Sequence, residues 1–175
     1  MVREDLAARV ADAALLTGDF VLSSGKRSSF YVDKYLFSTR PDLLRDIAAE
    51  IADALPAGVD RLAGVELGAV PLVAAASLAS GLPYVIVRKG AKEYGTARSV
   101  EGRLREGERV VLVEDVVTTG TQAVAAAEIL SELGVEVVRI VAVLDRREEG
   151  EEGVLGPFDF RSLLKIGDLR VVKGV

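Results

Sequence analysis

The chain has 175 residues, half of them apolar, with 22 basic against 27 acidic side chains and a net charge of −5. That suffices for one domain with a proper core, and the acidic balance argues against a polyanion-binding surface, so no nucleic-acid partner is expected. Neither Cys nor His occurs, which excludes a disulfide framework, a thiol nucleophile and a Cys-ligated metal, and removes the commonest general base and metal ligand.

Arg3, Glu4 and Asp5 interrupt any apolar start, and no run approaches the ~18 residues that span a bilayer, so a soluble, cytoplasmic protein without a membrane partner is expected. Leu6, Val10, Ala13 and Ala14 are spaced for an amphipathic helix over Val2–Leu16, ended by Gly18. Phe20–Asp33 reads as two short strands around a Ser/Gly turn. Ser38 or Thr39 then caps a helix with Pro41 in its first turn, whose buried stripe is Leu44, Ile47, Ala48, Ile51 and Leu55. Leu62–Leu67 is the first core strand. A turn through Gly68 leads to a helix over about Val70–Ala79 and a further strand, Tyr84–Val87. Strand, helix and strand at this spacing form a crossover unit, so the fold class is α/β, with a central, mostly parallel sheet flanked by helices.

From Lys89 to Gly107 runs a segment with four glycines and scant periodicity, beginning with Arg88, Lys89 and Lys92. Segments of that length inside compact domains are lids, binding loops or disordered, and this one leaves the carboxyl end of a core strand. Val110–Val113 is a short β-branched run of the kind buried on both faces of a parallel sheet, and it ends in Glu114 and Asp115. Thr118–Thr121 follows with small residues, hydroxyls and, at Gly120, freedom to take positive φ, so its N–H groups can converge at the start of the Gln122–Leu133 helix as an anion cradle. A phosphate suits that cradle. Adjacent acids repel phosphate and prefer vicinal hydroxyls or a metal, and a ribose 5-phosphate satisfies both. Glu136–Leu144 is another strand, Glu148–Gly153 an acidic turn, and Phe158–Val171 a hairpin that folds back with the N-terminal strands as a small hood. No internal repeat or domain linker appears.

The contiguous string Arg109-Val-Val-Leu-Val-Glu-Asp-Val-Val-Thr-Thr-Gly-Thr121 resembles the 5-phosphoribosyl-1-pyrophosphate (PRPP) signature of type I phosphoribosyltransferases. Three further segments are similar to those of the orotate phosphoribosyltransferases: Phe20–Asp33 to an N-terminal Ser-Gly-x-x-Ser segment, Arg88–Gly95 to a catalytic loop, and Leu144–Gly150 to a Leu-Asp-Arg-x-Glu-x-Gly strand end. The resemblance implies one phosphoribosyltransferase domain over 1–175, a hood at roughly 18–35 and 156–175, and a mobile catalytic loop at roughly 89–107. It implies transfer of the phosphoribosyl group from PRPP to orotate, yielding orotidine 5′-monophosphate and pyrophosphate. It also implies Mg²⁺ held mainly through PRPP with no direct protein ligand assigned, and a homodimer in which the loop reaches the neighbouring subunit.

Carried over by position, Lys92 and Asp115 are the catalytic residues. Arg88, Lys89, Lys92 and Tyr94 attend the pyrophosphate, Glu114 and Asp115 the ribose, and Val116, Val117, Thr118, Thr119, Gly120, Thr121 and Gln122 complete the PRPP site. Thr118 and Arg146, with Tyr31 and Val32, are the orotate contacts. Tyr94 replaces a His of the bacterial loop, and Ser23 and Gly68 stand where some relatives have lysines that touch PRPP, which predicts fewer cationic contacts. A purine or other nucleobase phosphoribosyltransferase is an alternative, disfavoured by the Leu-Asp-Arg and N-terminal segments. A PRPP-sensing regulator that binds nucleic acid is disfavoured by the acidic balance.

Overall fold

The computed structural model describes residues 3–21, 25, 27–88, 99–147 and 153–174. Helix α1 (Arg3–Ala14) buries Leu6, Ala7, Val10, Ala11 and Ala14, one stripe at helical spacing. The chain then turns directly into β1 (Leu15–Val21), which pairs antiparallel with β2 (Arg27–Val32) as a separate two-stranded sheet. The helix expected to run to Leu16 therefore stops two residues earlier. Gly18 lies inside β1, where the pairing register shifts between Thr17 and Phe20; it marks a strand irregularity and not a helix end.

Asp33 caps a short helix, α2 (Lys34–Ser38), by accepting the Tyr35 N–H at 3.0 Å. Helix α3 (Pro41–Asp53) starts on Pro41 with Arg40 at its cap position and no side-chain cap, so neither Ser38 nor Thr39 plays the predicted role. Its buried stripe is Leu43, Ile47, Ala48 and Ile51, with Leu44 only partly covered.

The central sheet is built from β3 (Arg61–Val65), β4 (Tyr84–Val87), β5 (Val100–Glu101), β6 (Arg109–Val117), β7 (Glu136–Asp145), β8 (Val154–Leu155) and β9 (Phe158–Lys165). Helix α4 (Val70–Ser80) connects β3 to β4, α5 (Thr121–Glu132) connects β6 to β7, and α6 (Ile166–Lys173) follows β9. The order is β5-β4-β3-β6-β7-β9-β8, parallel through the five central strands and antiparallel at both edges. The α/β class with a mostly parallel sheet is thus borne out. One face packs on α1, α3, α4 and α6 through Leu62, Val111, Val113, Val141 and Val143; the other packs on α5 through Ala63, Val110, Leu112, Ile140 and Ala142. On α5 the buried positions are mostly alanine, Ala123, Ala126 and Ala127 with Leu130, and small side chains let this helix lie close to the strands.

Three sequence expectations are corrected. Strand β3 ends at Val65, so Glu66 and Leu67 belong to the turn before α4. Within the segment expected as a loop to Gly107, Val100–Glu101 form the edge strand β5, with Val100 paired to Val87 and buried. Phe158–Val171 is not a hairpin: Phe158–Lys165 adds a parallel strand beside β7, where Phe160, Leu163 and Leu164 are buried, and the rest of the tail is helix packed against α1. The tail still reaches the N-terminal hairpin, since Arg170 lies 5.5 Å from the Phe30 ring centroid.

At the amino ends of the strands, Arg61 and Glu108 form a buried two-pronged ion pair, with both contacts at 2.7 Å. The carboxyl ends are arranged differently. Strand β3 hands the chain outward to β4, whereas β6 lies on its other side and leads away to β7, so a topological switch point opens between β3 and β6. Among the described residues no helix is long and apolar enough to cross a membrane.

Candidate active site

Strand β6 sends Val111 and Val113 to one face and Val110 and Leu112 to the other. Carried on, that alternation aims Asp115 toward the α4 side and Glu114 away from it. Both carboxyls are buried, at 3% and 7% exposure, on the floor of the switch-point crevice. Asp115 N–H donates to Glu114 Oε1 at 3.1 Å, and Val116 N–H donates to Asp115 Oδ1 at 2.6 Å. The other oxygen, Asp115 Oδ2, faces the Lys34 ammonium at 2.6 Å, yet receives no hydrogen bond of regular geometry. Burial, reinforced by the Asp115 charge, pushes the Glu114 carboxyl up to about 8, so it is largely neutral at pH 7. Burial pulls the Lys34 ammonium down, but close contact with Asp115, aided by Tyr35 and Glu114, outweighs it and the net shift is upward.

Past the end of β6 the chain makes the expected small-residue turn into α5. Thr118 and Thr119 are exposed, and Gly120 takes φ +82 as the cap residue of α5, with no side chain capping the helix. A Cβ at Gly120 would meet Leu155 Cδ1 at 2.2 Å, so both its φ and its surroundings require glycine. Thr119 and Thr121 hydroxyls lie 3.1 Å apart, and beyond a long 3.4 Å contact from Thr121 N–H to Thr119 Oγ1 the first turn leaves its amides to the crevice. Val116, Val117, Thr118, Thr119, Gly120 and Gln122 line one wall of a cleft of about 770 Å³, while Thr121 opens the helix beside them.

The N-terminal hairpin and the residue that follows β7 add to the lining. Tyr31 and Val32 are among these residues, Tyr31 half-exposed and tilted against Phe20 at 5.7 Å, Val32 buried. Arg146 sits beside the cradle because its N–H donates to Val117 O at 2.8 Å. Its guanidinium lies 5.9 Å from the Phe30 centroid, is held below its ordinary value by burial, and pairs with no carboxylate among the described residues. Arg147 turns the other way. It is buried against Asp145 at 3.0 Å, donates to Val154 O at 2.8 Å and covers the Phe160 ring at 4.4 Å.

The remaining predicted residues divide into two groups. Arg88 stands at the carboxyl end of β4 between Glu66 at 3.8 Å and Glu101 at 3.6 Å, on the rim and not on the cleft wall. Lys89, Lys92 and Tyr94 fall outside the described residues. Sequence reasoning missed Lys34 and Glu66, both of which line the cleft. Lys34 had one readable signal, its place just after the N-terminal segment already singled out, but nothing in the spacing tied it to Asp115. It also amends the expectation for Gly68: a Cβ there would lie 1.5 Å from Asp115 Oδ2 and 2.9 Å from Lys34 Nζ, so an ammonium from a different element stands beside the missing side chain.

No group of three acids able to hold a metal gathers among the described residues. One buried carboxylate, Asp115, beside a largely neutral Glu114 suits a hard cation that arrives on an anionic ligand and keeps most of its water better than a resident ion caged by protein.

Residues 39–160 match the phosphoribosyl transferase domain family. The chain is 48% identical over 157 residues to an orotate phosphoribosyltransferase of Methanocella arvoryzae, covering 89% of this chain and 90% of that one. The Leishmania donovani UMP synthase structure superposes with a TM-score of 0.83 at 33% identity over 98% of this chain, which spans only 38% of that longer protein. The Mycobacterium tuberculosis orotate phosphoribosyltransferase solved in complex with PRPP superposes with a TM-score of 0.74 at 29% identity, covering 95% and 98% of the two chains. By this family match and these identities, and with the turn, the acid pair and Arg146 gathered at the switch point of the sheet, the chain belongs to the orotate phosphoribosyltransferase family of type I phosphoribosyltransferases.

Proposed function

We propose that the protein transfers the 5-phosphoribosyl group of PRPP to orotate, releasing pyrophosphate and orotidine 5′-monophosphate for pyrimidine (UMP) biosynthesis in the cytoplasm. The observation that carries this reading is one cleft lined together by the Thr118–Gly120 turn, the buried Glu114–Asp115 pair and a half-buried Arg146 guanidinium without an acid partner among the described residues. The 5-phosphate takes the N–H groups and hydroxyls of Thr118–Thr121, and the ribose hydroxyls take Glu114 and Asp115. Orotate, a planar anion, lies between Tyr31, Val32 and Thr118 with its carboxylate or a ring carbonyl toward Arg146, which matches a planar guanidinium.

Breaking the bond between C1′ and pyrophosphate puts positive charge on the sugar and negative charge on the leaving group, while the pyrimidine nitrogen approaches from the opposite face. An enzyme gains most by neutralising the leaving diphosphate. Arg88, Lys89 and Lys92 are assigned to it, each contact contributing ~1.5–3 kcal/mol, and the Tyr94 phenol adds a hydrogen-bond donor. Mg²⁺, bound through PRPP oxygens, supplies further neutralisation when present. The chemistry requires neither imidazole nor thiol, in keeping with a chain that has neither. A homodimer in which the loop at roughly 89–107 serves the neighbouring subunit's cleft completes the proposal.

The test follows the loss of orotate absorbance on adding PRPP and Mg²⁺, with native protein, Lys92→Ala and Asp115→Asn, beside a panel of purine bases. Orotate alone should be consumed, and both variants should be slowed at least about tenfold. Turnover of a purine in place of orotate would overturn the substrate assignment, and unslowed variants would overturn the residue roles.

A further inference from the structure

Two cations line the described cleft, Arg146 on the pyrimidine side and Lys34 beside the acid pair. Lys34 comes from the first turn of α2 and crosses to the central sheet, where its ammonium lies 2.6 Å from Asp115 Oδ2 and 5.6 Å from the Tyr35 centroid. The passage exists because residue 68 has no side chain: a Cβ there would overlap the carboxylate and press on the ammonium. One third of the Lys34 side chain remains exposed, so it reaches solvent through the cleft, whereas Asp115 is closed off. Asp115 Oδ2, buried and without a well-aligned donor, is better suited to a ligand hydroxyl than to the bent contact it now has.

We propose that Lys34 is a PRPP-binding residue that changes partner on loading, from Asp115 in the free protein to an oxygen of the ligand's diphosphate in the complex. The inference rests on the PRPP reading above. The cradle leads from β6 into α5 on one face of the sheet, and the Lys34 ammonium meets Asp115 beside Gly68, in the turn before α4 on the other face, with Glu114 and Asp115 on the strand between. A sugar with its 5-phosphate in the cradle and its hydroxyls on the acids therefore extends its C1 substituent toward Lys34. Arrival of the sugar hydroxyls gives Asp115 aligned donors and frees the ammonium, and the diphosphate is a stronger counter-charge than the single carboxylate it leaves. Lys34 thus stabilises the carboxylate while the cleft holds no ligand and the leaving group once it does.

Calorimetric titration of native protein, Lys34→Ala and Lys34→Arg with PRPP and, separately, with ribose 5-phosphate tests this, with orotate turnover measured in parallel. Ribose 5-phosphate has the phosphate and hydroxyls but no diphosphate. Lys34→Ala should weaken PRPP binding on the order of tenfold to a hundredfold and change ribose 5-phosphate binding less than about threefold, with Lys34→Arg recovering most of the loss. Equal weakening of both ligands would mean that Lys34 only positions Asp115, and unchanged PRPP binding would mean that it does nothing for the ligand; either result overturns the proposal. Native protein that neither binds PRPP nor consumes orotate would instead bring down the functional reading on which the proposal stands. Thermal unfolding of each variant separates these outcomes from misfolding, and Lys34→Arg keeps the test decisive if Lys34→Ala proves unstable.

Discussion

Replacing Glu114 by glutamine tests the electrostatics of the cleft floor without touching its shape. Glu114 is buried beside Asp115 and its carboxyl titrates near 8 instead of its usual 4.5. Between those values the native protein holds a proton that the unfolded chain has already released, so stability falls as pH rises through that window. Each pH unit costs ~1.4 kcal/mol, which brings the decline to on the order of 5 kcal/mol once the window is crossed. Below the usual carboxylate value both states are protonated and the group contributes no slope. Glutamine keeps an oxygen for the Asp115 N–H, which now reaches Glu114 Oε1 at 3.1 Å, and cannot ionise. The two proteins should therefore unfold at similar denaturant concentrations near pH 5, and the variant should become progressively more stable than the native protein toward pH 9. Denaturant midpoints measured at half-unit steps provide the check, because every other titrating group contributes nearly equally to both proteins. Parallel midpoint curves, or a native protein that gains on the variant as pH rises, would show that Glu114 is ionised in the folded state and refute the reasoning.

Gly68→Ala places a methyl 1.5 Å from Asp115 Oδ2, so the carboxylate must swing off the Lys34 ammonium; kcat/KM for PRPP should fall by on the order of 2 kcal/mol, about thirtyfold, in steady-state assays. The adjacent arginines should separate cleanly. Arg147→Ala removes a buried partner of Asp145 and should cost ~3 kcal/mol in denaturant unfolding, whereas Arg146→Ala should leave stability nearly intact and raise the KM for orotate about tenfold or more. Glu108→Ala strands the Arg61 guanidinium at the amino ends of the strands and should cost ~3 kcal/mol while leaving both substrate KM values unchanged. Glu108 is held below its usual carboxylate value mainly by Arg61, so its stabilisation is present above that value and is lost as pH falls; acid unfolding of the native protein and of Glu108→Ala should converge at low pH.

The parts of this fold legible in the sequence are those whose physics is local. Val110–Val113 reads as a buried strand because every side chain is apolar and β-branched or leucine, and Thr118–Thr121 reads as an anion cradle because small residues and Gly120 follow it directly. The tail was opaque because Phe158–Lys165 covers its burial only partly: exposed Asp159 and Arg161 alternate with buried Phe160, a pattern shared by a free hairpin and by a strand near the edge of a large sheet. Gly18 was opaque for a related reason, since a glycine after a helical stripe marks either a helix end or a strand irregularity. Lys34 lay beyond local reasoning altogether. Its partner is on the far side of the chain, and the space that admits it is the absence of a side chain at Gly68.

The composition alone suggests that nothing in this protein titrates near neutrality, since it has no imidazole and no thiol. The fold supplies such a group from an ordinary dipeptide. Because a strand alternates its faces, Glu114 and Asp115 leave β6 in opposite directions and meet unequal surroundings: Asp115 finds an ammonium, while Glu114 is left with burial and its neighbour's charge. The same parity splits Arg146 from Arg147 at the end of β7, one facing the cleft and the other locked to Asp145 and Phe160. At each strand end one member of the dipeptide is held in an ion pair and the other lies outside any ion pair among the described residues. Both pairs sit at the carboxyl ends of adjacent strands, so a largely neutral carboxyl and a guanidinium without an acid partner among the described residues face a single cleft. Asp145–Arg147 fixes the end of β7, whereas Asp115–Lys34 holds the cleft floor only until a ligand supplies both groups with new partners, so the affinity for anions depends on that exchange and on Arg146.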